Sequence, residues 1–142
     1  VEIGGELRCS GVNKTGAVWI IGIDTPINNM VSSKKIFSKT ELSNMALATS
    51  GNYRNFLEKN GKIITHSIDP RNGISVESNT LSVSVKARSC LVADAWATAL
   101  MILPFDDGLR AVTEAGGLEA LWIFSEGKEG LSRFSTKDFY SK

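Results

Sequence analysis

The sequence predicts an α+β domain, a mixed or antiparallel sheet packed with two main helices. Two helical stretches fall late in the chain, short apolar or alternating runs bounded by Gly, Asn and Pro fill the rest, and no regular βαβ rhythm joins them. A length of 142 residues with 42% apolar content suffices for one core. Sixteen Lys and Arg against fifteen Asp and Glu, without a basic run, leave no electrostatic footprint for nucleic acid and no polybasic patch for a membrane.

Val1 to Cys9 reads as a strand interrupted at Gly4-Gly5, the mark of a bulge or of a close approach to the backbone. Ala17 to Ile23 is apolar, β-branched and aromatic, as in a strand buried on both faces. Pro26 to Ser38 is polar and predicts a loop, and Met45 to Thr49 a short strand ending at Ser50-Gly51. Another strand begins at Tyr53. Asn60-Gly61, between the extended halves of Phe56 to Ile64, predicts a hairpin with a type I′ turn. His66 to Gly73 turns, and Leu81, Val83 and Val85 alternate with Ser82, Ser84 and Lys86 as in a half-exposed strand.

Ser89 predicts the cap of a helix running to about Leu103 and stopped by Pro104, with Leu91, Ala95, Thr98, Ala99 and Ile102 at helical spacing. A second helix fits Asp107 to Ala115, closed by Gly116-Gly117. Leu118 to Phe124 is another buried strand, and the Lys- and Ser-containing tail a weak one. The longest apolar stretch, Cys90 to Leu103, is too short for a bilayer and contains Asp94, so it reads as a core helix. Cys9 and Cys90 have no metal or disulfide spacing and read as buried free thiols.

Asp94 and Thr98 stand one turn apart on that apolar helix. A carboxylate in such a setting needs a partner, and a hard divalent cation, an Arg or Lys, or backbone amides would each serve. His66, the single histidine, stands beside a turn where an imidazole can exchange a proton or simply hold structure. Asp69 reads equally as a turn former. Gly4-Gly5 and Thr49-Ser50-Gly51-Asn52 offer bare backbone amides to a phosphate, yet match neither a P-loop nor a dinucleotide fingerprint.

Four segments in order, Val-Glu-Ile-Gly-Gly-Glu-Leu-Arg (1–8), Ala-Thr-Ser-Gly-Asn-Tyr-Arg (48–54), His-Ser-Ile-Asp-Pro-Arg-Asn-Gly (66–73) and Ala-Asp-Ala-Trp-Ala-Thr-Ala-Leu (93–100), resemble the ApbE family of FAD:protein FMN transferases. The resemblance implies Mg²⁺-dependent cleavage of FAD, attachment of FMN through phosphate to a Ser or Thr of an acceptor protein, and release of AMP. It places Mg²⁺ on Asp94 and Thr98, catalytic work on His66 with Asp69 supporting its loop, and FAD against the backbone near Ile68, with Gly4, Gly5, Thr49, Ser50 and Gly51 shaping the pocket. It also implies that residues 1–142 are the C-terminal part of the domain. The N-terminal half, absent from this chain, would supply further flavin, adenine and metal contacts and cover an apolar face.

Asn52 stands where many relatives carry an acid, and Asn72-Gly73-Ile74-Ser75 lacks the Thr and Pro often seen after the motif histidine. The chain has no Asp-Gly-x-Ser/Thr-Gly-Ala-Thr-like acceptor stretch, so the implied acceptor is another protein, a redox protein by resemblance. Family membership also implies a lipoprotein on the periplasmic side of the inner membrane. Two alternative functions share these residues: an FAD pyrophosphatase releasing free FMN, and a flavin-binding module without catalysis.

Overall fold

A computed structural model describes residues 1–26, 35–52, 56–59, 62–127 and 130–141, with the side chains of 56–66 outside the description. The order of elements is β1 (Glu2–Ile3), β2 (Glu6–Arg8), β3 (Trp19–Asp24), β4 (Ile36–Leu42), β5 (Ala46–Gly51), β6 (Phe56–Lys59), β7 (Lys62–Asp69), β8 (Ile74–Glu77), β9 (Thr80–Ala87), α1 (Cys90–Ile102), α2 (Phe105–Ala115), β10 (Glu119–Ser125) and β11 (Leu131–Ser135). Six strands form an antiparallel sheet in the order β1-β2-β5-β9-β10-β11. A β3–β4 hairpin and a three-stranded β6-β7-β8 sheet accompany it. The α+β expectation holds.

Strand alternation sends successive side chains to opposite faces, and both faces of the large sheet are covered. On one, Ala46, Ala48, Val83, Val85, Ala87, Ala120 and Trp122 pack against Ala93, Ala97, Leu100, Met101 and Val112 of the helices. On the other, Leu47, Leu121 and Ile123 pack with Cys9, Ile23, Leu42 and Phe139.

The Lys86 strand is therefore not half-exposed. Ser82, Ser84 and Lys86 are buried along with Val83 and Val85, because the polar face of β9 lies under the C-terminal tail and its neighbours. Lys86 Nζ donates to the Ser141 carbonyl at 2.8 Å and stands 5.4 Å from the centre of the Phe139 ring. Thr40 donates to the Phe139 carbonyl and Thr136 to the Glu119 carboxylate, pinning the same tail.

Helix α1 begins where expected: the Ser89 side chain accepts from Val92 N at 3.3 Å. Its buried face differs. Ala93, Ala97, Leu100 and Met101 face the sheet, while Leu91 is 80% exposed and Ala95 and Thr98 are exposed too. A helix with so few polar residues carries only a weak periodic signal for a face, and the small Ala93 and Ala97 pack over the alanine-rich strands. Helix α2 starts at Phe105, ahead of the expected Asp107, with Pro104 at its N-cap and Asp106 and Asp107 in the first turn, where carboxylates suit the helix dipole. Gly108 lets α2 approach α1: a Cβ there would lie 3.0 Å from Leu100 Cδ2.

Gly4-Gly5 forms a two-residue hairpin turn between β1 and β2, with φ of 70° and 112°, rather than a bulge. Strand β3 is not buried on both faces. It pairs with β4 in an outer hairpin, leaving Ile20 64% exposed and Ile23 buried. Strand β4 was expected to be loop at its start; its buried positions are Thr40 and Leu42, so the hydrophobic alternation is muted. The β6–β7 pairing matches Lys59 with Lys62, as a two-residue hairpin loop requires, while Asn60-Gly61 and Tyr53, where a strand was expected to begin, lie outside the described residues. Cys9 is buried and Cys90 half-buried, both as free thiols. Among the described residues no helix is long and apolar enough to cross a membrane.

Leu100→Ala should cost about 2–5 kcal/mol by opening a cavity between α1, α2 and the sheet, measured by urea unfolding. Burial holds the Lys86 ammonium below the ordinary lysine range, against the opposing pull of Glu119 and Glu41. The folded chain therefore releases that proton at a lower pH than the unfolded one, so stability rises with pH from the lowered value up to the ordinary lysine pKa of about 10.4. Urea midpoints should show this rise, and Lys86→Met should remove it.

Candidate functional site

Helix α1 carries Asp94 and Thr98 one turn apart on its solvent-facing side, and both are exposed. The expectation of a carboxylate stranded among apolar side chains is corrected by this placement: water solvates Asp94, so no buried partner is required. The two side chains are instead open to solvent on the same side of α1. Carboxylate and hydroxyl are hard donors, suited to Mg²⁺, which takes few protein ligands and keeps water or phosphate oxygens in its remaining positions. Among the described residues no group of three His, Cys, Asp or Glu side chains forms a metal cluster. The donor set thus fits an ion shared with a phosphate-bearing substrate and does not by itself make a closed cage.

Beside Asp94 lies a hollow of about 400 Å³, walled by Val1, Ile3, Glu6 and Arg8 of the first hairpin and by Cys90 and Leu91 at the start of α1. Glu6 and Arg8 share one face of β2, and Arg8 Nη1 donates to the Asn44 carbonyl at 2.7 Å. Sequence reasoning did not single out these two charged groups as site residues. Their two-residue spacing beyond the Gly4-Gly5 turn was the available signal.

Strand β5 divides the residues expected to shape a flavin pocket. Ser50 faces α1, where its Oγ lies 3.0 Å from Thr98 Oγ1. Thr49 faces the other way and pairs with Ser84 at 2.7 Å. Thr49 and Gly51 line a cleft of about 660 Å³ with Gly4, Gly5, Glu2, Asp24 and Ser82, between the large sheet and β3. The structure thus gathers Gly4, Gly5, Thr49 and Gly51 in one cleft and sets Ser50 with Thr98.

His66 lies on β7, two residues before Ile68, and its side chain is outside the described residues. Ile68 is 56% exposed and its backbone pairs with Ser75 of β8. Asn52, at the end of β5, is buried, accepts from Ser67 Oγ at 3.4 Å, and leaves its Nδ2 without a partner among the described residues. Ser67 is the residue next to His66, so β5 reaches toward both the α1 site and the histidine strand.

Asp69 is committed to its own turn. Its carboxylate accepts from Arg71 N at 2.9 Å, from Nε at 2.9 and 3.1 Å and from Nη2 at 2.7 Å, while its carbonyl accepts from Gly73 N at 2.8 Å. Gly73 takes a φ of 72°, a conformation suited to glycine. The Arg71 side chain, followed by its backbone amide, holds the Asp69 carboxyl below the usual carboxylate range. Such a group is a poor proton acceptor and a good clamp. An NMR titration should find Asp69 below the ordinary carboxylate range and find it raised toward that range in Arg71→Ala. The clamp's contribution should be present above the ordinary value and be lost as pH falls through the lowered one.

The ApbE family model matches residues 1–122. A FAD:protein FMN transferase of Vibrio cholerae serotype O1 is 39% identical over 144 residues, spanning 100% of this chain and 42% of the relative. One from Escherichia coli K12 is 35% identical over 130 residues, with 92% of this chain and 35% of the relative covered. Among solved structures, the apo form of Pseudomonas stutzeri flavinyl transferase ApbE aligns with a TM-score of 0.77 at 35% identity, covering 99% of this chain and 42% of that one. The chain thus spans well under half the length of these relatives. Sequence and fold agree along nearly its entire length: the chain belongs to the ApbE family.

Proposed function

We propose that this chain forms part of an enzyme that transfers FMN from FAD to a Ser or Thr hydroxyl of an acceptor protein through a phosphoester bond, releasing AMP. The observation that carries this reading is the exposed Asp94–Thr98 pair on α1, a hard-oxygen donor set beside a hollow, within a chain of this family. Relatives matching the whole chain are named FAD:protein FMN transferases.

In the proposed reaction the acceptor hydroxyl oxygen bonds to the FMN phosphorus, the bond from that phosphorus to the bridging oxygen breaks, and AMP departs with the bonding electron pair. Asp94 and Thr98 would hold Mg²⁺, which when bound supplies positive charge against the charge gathering on the pyrophosphate oxygens. His66, matching the motif histidine, takes the hydroxyl proton. Asp69 keeps the loop after β7 in shape through Arg71. The backbone near Ile68 and the cleft bearing Gly4, Gly5, Thr49 and Gly51 receive parts of the FAD.

Leu91, Ile3 and Val1 expose apolar surface around the hollow beside Asp94. The additional length that relatives carry would pack there and complete the site. The acceptor is a separate redox protein presenting a Ser or Thr.

The test combines this chain, alone and with the remaining portion of a family member, with FAD, Mg²⁺ and a threonine-bearing acceptor, and follows AMP and the acceptor's mass. An FMN mass increase with AMP release is expected, lost with EDTA and reduced about 100-fold or more in Asp94→Ala, the scale of losing one charge contact in the transition state. Free FMN with an unmodified acceptor would establish the pyrophosphatase instead, and flavin binding without AMP the non-catalytic module.

A further inference from the structure

A threonine within a helix has two places to send its hydroxyl. Its Oγ1 can bond a carbonyl three or four residues back, so helical threonines divide between two χ1 rotamers. Thr113 on α2 takes that route, donating to the Leu109 carbonyl at 2.8 Å. Thr98 does not, among the described residues. Its Oγ1 lies instead 3.0 Å from Ser50 Oγ, which comes from a strand 48 positions earlier in the chain.

Ser50 is a firm anchor. Strand β5 lies inside the six-stranded sheet, paired with β2 on one side and β9 on the other, and Ser50 itself stands opposite Val83. Ala46 and Ala48, which share its face of β5, are buried against α1. The distance between the two hydroxyls is therefore set by the pairing of β5 within the sheet and by the packing of α1 on Ala46 and Ala48.

The geometry points to Ser50 as a positioning residue that holds the Thr98 hydroxyl off its own helix backbone and ready for a divalent cation; this rests on the reading of Asp94 and Thr98 given above. A hydroxyl that ligates through a lone pair keeps its proton and needs an acceptor for it. In the pair as it stands either oxygen can donate. With a cation on Thr98 Oγ1, the Thr98 O–H donates to Ser50 Oγ and both Thr98 lone pairs stay away from the helix. Without Ser50, that proton finds the Asp94 carbonyl one turn back, as Thr113 finds Leu109, and Oγ1 rotates out of line with the Asp94 carboxylate. Partners of this kind, one step behind a ligand, typically govern affinity by about 10–100-fold.

The experiment measures Mn²⁺ binding to the chain by the loss of the free-ion EPR signal, with thermal unfolding recorded for every variant to verify folding. Ser50→Ala should weaken Mn²⁺ binding about tenfold, Ser50→Thr, which keeps the hydroxyl, should retain the unaltered affinity, and Ser50→Ala with Thr98→Ala should be no weaker than Thr98→Ala alone. Unaltered binding by Ser50→Ala, while Asp94→Ala and Thr98→Ala weaken it, would overturn the positioning role and leave the metal reading intact. Equal losses in Ser50→Ala and Ser50→Thr would trace the effect to volume and overturn it as well. No Mn²⁺ binding, or none sensitive to Asp94 and Thr98, would remove the metal reading and this inference together.

Discussion

Strands β5 and β9 run inside the six-stranded sheet with packed layers on its two faces, and the positions of Ser50 and Thr49 follow from that. A strand in the middle of such a sheet sends alternate side chains toward the helices and toward the opposite layer. At β5 the consequence is direct: Ala46, Ala48 and Ser50 meet α1, while Leu47 and Thr49 meet the other side. One strand thereby positions an α1 hydroxyl and lines a separate cleft. The small side chains on the α1 side matter, because alanine against alanine brings helix and strand close enough for two short hydroxyls to touch.

Covering both faces also explains the burial of Lys86. Its carbon stem crosses an apolar layer, and its ammonium reaches the Ser141 carbonyl and the Phe139 ring at the far end. The C-terminal tail is in this sense part of the core, tied to β4 by Thr40 and to β10 by Thr136. Among the described residues, nothing covers Leu91 and Asp94 on the outer side of α1. Substrate, additional chain and cation are all proposed to meet on that open side.

Local signals in the sequence were readable wherever a short-range rule decides the outcome. Ser89 and Pro104 bracket α1, Gly116 closes α2, and the run from Leu118 to Phe124 is a strand. Features that depend on distant packing were not. The alternation in β9 is that of a half-exposed strand until the tail arrives over Lys86, and the mostly apolar α1 gives only a weak signal for a face until the alanine-rich sheet supplies one. Spacing paired Asp94 with Thr98 correctly because helical geometry is local. The contact between Ser50 and Thr98 was not legible because β5 and α1 are far apart in the chain, and the motif resemblance, rather than any residue pattern, supplied the flavin-pocket role of Ser50 and the chemistry of His66.

Asp94 and Thr98 on the exposed face of α1 are proposed to ligate a divalent cation, and crystals of the chain grown with Mn²⁺ and FAD, measured for anomalous scattering, decide this. An anomalous peak within coordination distance of Asp94 Oδ and Thr98 Oγ1, with phosphate or water oxygens completing the shell, is expected; a peak bound elsewhere, with these two oxygens facing only water, would rule the ligand role out.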